Sequence, residues 1–106
     1  MTYTWALQNA LQQFDDERGW HKYHSLKNLS ASIAIESAEL MEHFQWLTEK
    51  EGDSKADNYE ALDAMAMELA DIMIYCLLFA NKARIDAASA ISQKMSINES
   101  RFPRVD

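Results

Sequence analysis

The chain has 106 residues, a formal net charge of −7, two glycines and one proline. Close to half of the residues are apolar, enough for one modest core, so a single domain over 1–106 is expected and disorder is excluded. The acidic balance excludes a broad contact with a nucleic acid polymer. A small anionic ligand stays compatible if a metal or local Lys and Arg residues offset the charge.

So few chain breakers, a single valine (Val105) and an abundance of Ala, Leu, Met and Glu favour long helices over strands. The lone Cys76 has no internal disulfide partner. It lies in an apolar run, where a buried thiol is expected. Met1 to Phe14 is amphipathic without a basic start, so no signal peptide is expected, and the cytoplasm is the expected compartment.

Four helices are expected. The first spans about 4–16, with Trp5, Leu7, Leu11 and Phe14 as its apolar positions, Thr4 as its N-cap and Gly19 closing it. A loop with Trp20, His21 and Tyr23 leads to a second helix at about 25–48. The segment 49–58, rich in charge and holding Gly52, reads as an exposed connector. A third helix is expected at about 58–82, and a fourth at about 86–99 with Asp86 as its N-cap.

The second helix has a seam of Leu26, Leu29, Ile33, Glu36, Leu40, His43 and Leu47 at alternating spacings of three and four, the signature of a packed face. Burying the carboxylate of Glu36 in that seam costs several kcal/mol or so unless it is paired or binds a metal. His43 is expected to be a core residue or to sit behind the acids, bonded to a carboxylate. The third helix is apolar nearly all round, with only Asp63, Glu68 and Asp71 charged between Ala61 and Ala80. Three acids make a membrane span untenable. A chain this small can hardly surround such a helix unaided, so a homodimer or homotetramer is expected.

Glu36 and Glu39 form an E-x-x-E pair, and Glu68 and Asp71 an E-x-x-D pair. Residues three apart share a helix face, so each pair points its carboxylates one way. If the two helices pack antiparallel, the pairs can meet at mid-helix, where four like charges would repel strongly. A divalent cation resolves that conflict. All-oxygen ligands favour Mg²⁺, with Mn²⁺ as a possible substitute, and Mg²⁺ keeps room for phosphate oxygens.

Four stretches carry a family resemblance: ERGWHKYHSLKNL, NLSASIAIESAELMEHFQW, ELADIMIYCLLFANKARID and KMSINESRFP. Over about 16–103 the chain resembles MazG-like, all-α nucleoside triphosphate pyrophosphohydrolases. FQW and DIMIY place it near the branch that includes dCTP pyrophosphatases. The resemblance implies an all-α, four-helix bundle-like, oligomeric fold, and Mg²⁺-dependent cleavage of (deoxy)nucleoside triphosphates to monophosphate and pyrophosphate, a nucleotide-pool house-cleaning role. It implies Glu36, Glu39, Glu68 and Asp71 as metal ligands, with Glu36 or Glu39 as catalytic base. Trp20, Trp46 and Tyr75 would enclose the base or sugar. Lys94, Asn98 and Arg101 would hold phosphate or sugar oxygens, and His24 and Asn28 would stand near the pocket mouth. The proline usual after that histidine is Ser25 here.

Two other classes fit parts of the pattern. A di-iron carboxylate protein needs Glu-x-x-His on each of two helices, but Glu42 and Asp71 stand where the histidines would be. A non-enzymatic helical oligomer acting as an interaction module would use the acids structurally.

Overall fold

The computed structural model describes residues 3–105, and among these every regular element is helical. The α-helices are α1 (Tyr3–Glu17), α2 (Leu26–Glu42), α3 (Glu49–Ser54), α4 (Tyr59–Ala83) and α5 (Ala87–Arg101). Short 3-10 turns at Trp20–Tyr23 and Lys55–Asp57 precede α2 and α4.

The helix starts follow from side chains that satisfy the free backbone donors of a first turn. Ser25 Oγ accepts from the Asn28 amide at 3.1 Å, Asn58 Oδ1 from that of Ala61 at 2.9 Å, and Asp86 Oδ1 from that of Ser89 at 3.0 Å. Gly19 turns the chain after α1 at a left-handed φ of 60°, which costs glycine little. Arg84 takes the same conformation after α4, and the Ile85 amide reaches back to Ala80 O at 2.7 Å, a Schellman closure. Thr4 is not the N-cap of α1, because the helix already runs at Tyr3; Met1 and Thr2 lie outside the described residues.

The expected second helix is shorter than its seam. It ends at Glu42, not near residue 48, and Leu47 falls outside it. Thr48 and Glu51 form a reciprocal capping box: Thr48 Oγ1 accepts from the Glu51 amide and Glu51 Oε1 from the Thr48 amide. That box starts α3 within the segment expected to be a connector. Between the helices the Leu47 amide bonds Phe44 O at 2.9 Å in a tight turn.

Helices α2 and α4 make the most extensive pairing, and α1 lies on α4. His24 faces Tyr75, Glu36 feels Asp71, and His43 approaches Glu68. Rising numbers on one side meet falling numbers on the other, so α2 and α4 run antiparallel. A buried polar knot ties α1 to the α4–α5 junction. Gln8 donates to Asn81 Oδ1 (3.0 Å) and Ile85 O (2.9 Å), accepts from the Ala87 amide (3.0 Å), and its carbonyl accepts from Asn81 Nδ2 (2.8 Å). Buried amides are tolerated when satisfied this fully.

The rest of the chain is open. Leu29 and Ala80 are the buried apolar side chains among the described residues. The radius of gyration is 16.7 Å, against about 13 Å for a compact domain of this length. The accessible surface is 8483 Å², against roughly 6,100 Å² for a compact monomer of this mass. Cys76, expected buried, is exposed in the single chain, because its face of α4 opens on a groove of about 450 Å³ shared with Leu7, Met73, Leu77, Ile85 and Ile91. No helix among the described residues is long and apolar enough to cross a membrane.

Candidate functional site

The two acid pairs come together. One carboxylate oxygen each from Glu36, Glu39 and Glu68 lies within 4.8 Å of the others. Glu36 and Glu68 are half-buried, and Oε2 of each is buried with no hydrogen-bond partner. Asp71, one turn along α4, is near enough for its charge to act on Glu36. Burial, a hydrogen bond shared with Glu39, and the charges of Glu39, Asp71 and Glu68 all push the Glu36 carboxyl above its ordinary value. His43 Nε2 is 3.9 Å from Glu68 Oε1 at the end of the cluster, beside the acids as expected but beyond direct hydrogen-bond range.

Unpartnered buried oxygens are costly and call for a proton or a cation. Glu36, Glu39, Glu68 and Asp71 offer hard oxygen donors from two antiparallel helices, a set that could hold a divalent cation of the magnesium type. Glu39 and Glu68 also line, with Glu42 and His43, an open cleft on one side of the cluster.

Beside the cluster lies an apolar, half-open cavity of about 250 Å³. Trp20, His24, Tyr75, Phe14 and Asp71 are among its walls. Its rings meet edge to face, with centroids 5.5 Å apart for Phe14–Trp20, 6.4 Å for Trp20–His24 and 6.5 Å for His24–Tyr75. Aromatic pairs favour this geometry. Asp71 lines this cavity and its charge reaches Glu36, so the two features are adjacent.

The loop from Gly19 to Ser25 sets this wall. Asn28 Nδ2 donates to Tyr23 O at 3.1 Å, holding the loop against the start of α2. Ser25 caps that helix, so the position usual for proline keeps a defined turn by another device. Among the cavity's walls is a residue that sequence patterning does not single out: Asp15 is 5% exposed, and its Oδ1 lies 2.7 Å from His24 Nδ1. An acid on the apolar side of an amphipathic helix is the signal that could have found it.

The single chain does not bring every expected residue to this place. Trp46 is 86% exposed in the turn between α2 and α3. Lys94, Asn98 and Arg101 sit on α5, which packs against the rest chiefly through α1. None of these four lines the cavity or the acidic cleft.

The fold and the site define a class: all-α carboxylate proteins in which paired acids from two antiparallel helices converge beside an aromatic cavity. The chain belongs to the MazG-like family, whose family model matches residues 31–106. Human dCTP pyrophosphatase 1 is 35% identical over 91 residues, 86% of this chain and 54% of that protein. The rat dCTP pyrophosphatase 1 is 33% identical over the same shares. The chain thus spans about half the length of the curated relatives it matches. A crystal structure of a pyrophosphatase from Archaeoglobus fulgidus DSM 4304 superposes with a TM-score of 0.87 at 37% identity, covering 98% of this chain and 95% of that one.

Proposed function

We propose that this chain hydrolyses the α–β phosphoanhydride of (deoxy)nucleoside triphosphates, releasing a nucleoside monophosphate and pyrophosphate. The observation that carries the reading is the pair of unpartnered buried oxygens on Glu36 and Glu68 beside an aromatic cavity. Similarity to proteins named as pyrophosphatases supports the same chemistry.

Glu36, Glu39, Glu68 and Asp71 would hold Mg²⁺, or Mn²⁺ in its place. When bound, the ion supplies the positive charge that offsets the acids and the triphosphate together. Trp20 and Tyr75 stack on the base and hold the nucleotide against Asp71. Water attacks the α-phosphorus, and a carboxylate of Glu36 or Glu39 that is not fully engaged by the ion orients the water or takes its proton. The bond from the α-phosphorus to the bridging oxygen breaks, and pyrophosphate leaves.

The chain works as a homodimer or homotetramer in this reading. The excess of exposed surface and the groove between α1, α4 and α5 support it, because apolar patches of several hundred Å² favour association. Assembly would let α5 present Lys94, Asn98 and Arg101 to the phosphates of a neighbouring site. A dCTP-like preference and a cytoplasmic house-cleaning role complete the proposal. A panel of canonical and modified dNTPs, assayed for pyrophosphate release with Mg²⁺, tests it. Release is expected from at least one dNTP, and none from any would overturn the reading.

A further inference from the structure

The hydrolase reading leaves one feature of the molecule unused. A polar crevice of about 260 Å³ lies at the C-terminal end of α4. Gln12, His21, Asn81, Lys82 and Arg84 are among its walls, and it meets the aromatic cavity at Asp15, His24 and Leu78. Along α4 the acids come first, then the cavity residues Tyr75 and Leu78, then the crevice. Asp71 and Lys82 are roughly 16 Å apart along the helix axis, so a group held by the crevice cations is separate from an ion at the acid cluster.

In a chain of net charge −7, the crevice gathers two fixed cations and a single acid. That acid, Asp15, stands 2.7 Å from His24 and within ion-pair distance of neither cation. Among the described residues, the side chains of Lys82 and Arg84 make no hydrogen bond, ion pair or ring contact. The wall amides are tied down instead: Gln12 Nε2 donates to Asp16 Oδ1 at 2.9 Å, and Asn81 Nδ2 to Gln8 O at 2.8 Å. The frame is fixed and its two positive charges are uncommitted.

The helix dipole favours a cation in the last turn, which accounts for Lys82. It does not account for Arg84. That residue closes α4 in the left-handed region, at φ 60°, and is the only non-glycine at positive φ among the described residues. Glycine takes that conformation without steric cost and a residue with a side chain does not. The Arg84 side chain makes no polar contact in the chain that would offset the cost.

We propose that the crevice is a binding site for a small phosphate anion, inorganic phosphate or pyrophosphate, held by Lys82 and Arg84. A guanidinium and an ammonium beside imidazole and amide groups suit a multiply charged oxyanion. The walls carry no Trp, Tyr or Phe ring on which a base could stack, so free phosphates fit better than nucleotides. The site stands independently of the hydrolase reading.

The test is an amide-shift titration of the ¹⁵N-labelled full chain in excess chelator at constant ionic strength, with phosphate and separately with pyrophosphate. Without metal the acid cluster repels anions, which leaves the crevice as the cationic site. Each anion should give saturable shifts centred on His21, Lys82 and Arg84. The double variant Lys82→Ala, Arg84→Gly should bind about tenfold more weakly or worse, as the loss of two charge-assisted contacts implies. Lys82→Arg keeps the charge and should keep the binding. Shifts that fail to saturate, shifts centred elsewhere, or wild-type affinity in the folded double variant overturn the proposal.

Melting temperatures separate a ligand-binding role from a structural one. Arg84→Gly should melt no lower than wild type in phosphate-free buffer, since glycine relieves the turn. Added phosphate should raise the melting temperature of wild type more than that of the variant. A lower melting temperature for Arg84→Gly without phosphate would make Arg84 a structural residue and overturn the proposal.

Discussion

Helix α4 has two faces finished to different degrees. Toward α2 it presents Glu68, Asp71 and Tyr75, and the chain itself supplies what meets them: Glu36, Glu39, His43 and His24. Away from α2 it presents Met73, Cys76 and Leu77 to an open groove, with Met73 still 55% exposed. The face that concentrates charge is completed within one chain. The face that should bury apolar surface is not. Antiparallel pairing explains the first, since it brings two acid pairs into register at mid-helix. Chain length explains the second, because α1 and the loosely attached α5 are too little to wrap the far side.

The largest expected effect falls on the charged face. Glu36→Gln, Glu39→Gln, Glu68→Gln and Asp71→Asn should each lower kcat by about a hundredfold or more with helicity retained. Full activity in two of the four would dissolve the four-carboxylate site. The apolar face responds differently: Met73→Asp or Leu77→Asp places a charge in the groove and should dissociate or unfold the protein, carrying activity down with it. Light scattering at low micromolar concentration reads this, and a compact, folded and active monomer would erase the contrast between the faces.

The attachment of α1 to the α4–α5 junction hangs on Gln8. Gln8→Leu keeps the volume but strips three side-chain hydrogen bonds, taking their Gln8 partner from the Ala87 amide, Asn81 Oδ1 and the Ile85 carbonyl. The loss should be about 2–4 kcal/mol in urea unfolding at fixed protein concentration, with α5 the first part to gain amide exchange. A loss under about 0.5 kcal/mol would mean the knot only decorates the junction.

The smallest effect is one of sign. The folded pKa of Glu36 lies above the ordinary value of 4.5, so in the absence of metal, stability from this group is fully present below 4.5 and is lost as pH rises through the folded pKa. At neutral pH the metal-free wild type therefore carries the whole penalty. In chelator, Glu36→Gln should melt at a higher temperature than wild type near pH 7.5, and the difference should shrink toward pH 4. A lower melting temperature for the variant would show that Glu36 is not strained by its neighbours.

Much of the charged face was legible in the sequence. Acids three apart in otherwise apolar stretches are costly to bury alone, so their spacing already points to a shared cation. Asp86 announced its helix through ordinary capping chemistry. The end of α2 was hidden because its heptad-like spacing continues to Leu47, while the signal that overrides it is the local Thr48–Glu51 box. Asp15 and Gln8 escaped on different grounds. Each gains its meaning from a partner distant in the chain, His24 for one and Asn81, Ile85 and Ala87 for the other, and no periodicity encodes such pairs. Cys76 read as buried because an apolar run says that a face will be covered, not by which chain. Trp46, Lys94, Asn98 and Arg101 came from resemblance alone, and the single chain leaves them away from the cavity.

The most direct measurement is product analysis of one reaction with a cleavable dNTP, run with Mg²⁺ and again in excess chelator. Ion-exchange chromatography should show deoxynucleoside monophosphate and pyrophosphate appearing together in equal amounts with Mg²⁺, and neither without it. Deoxynucleoside diphosphate with orthophosphate as the first products, or undiminished turnover in chelator, would contradict a carboxylate-held cation acting at the α-phosphorus.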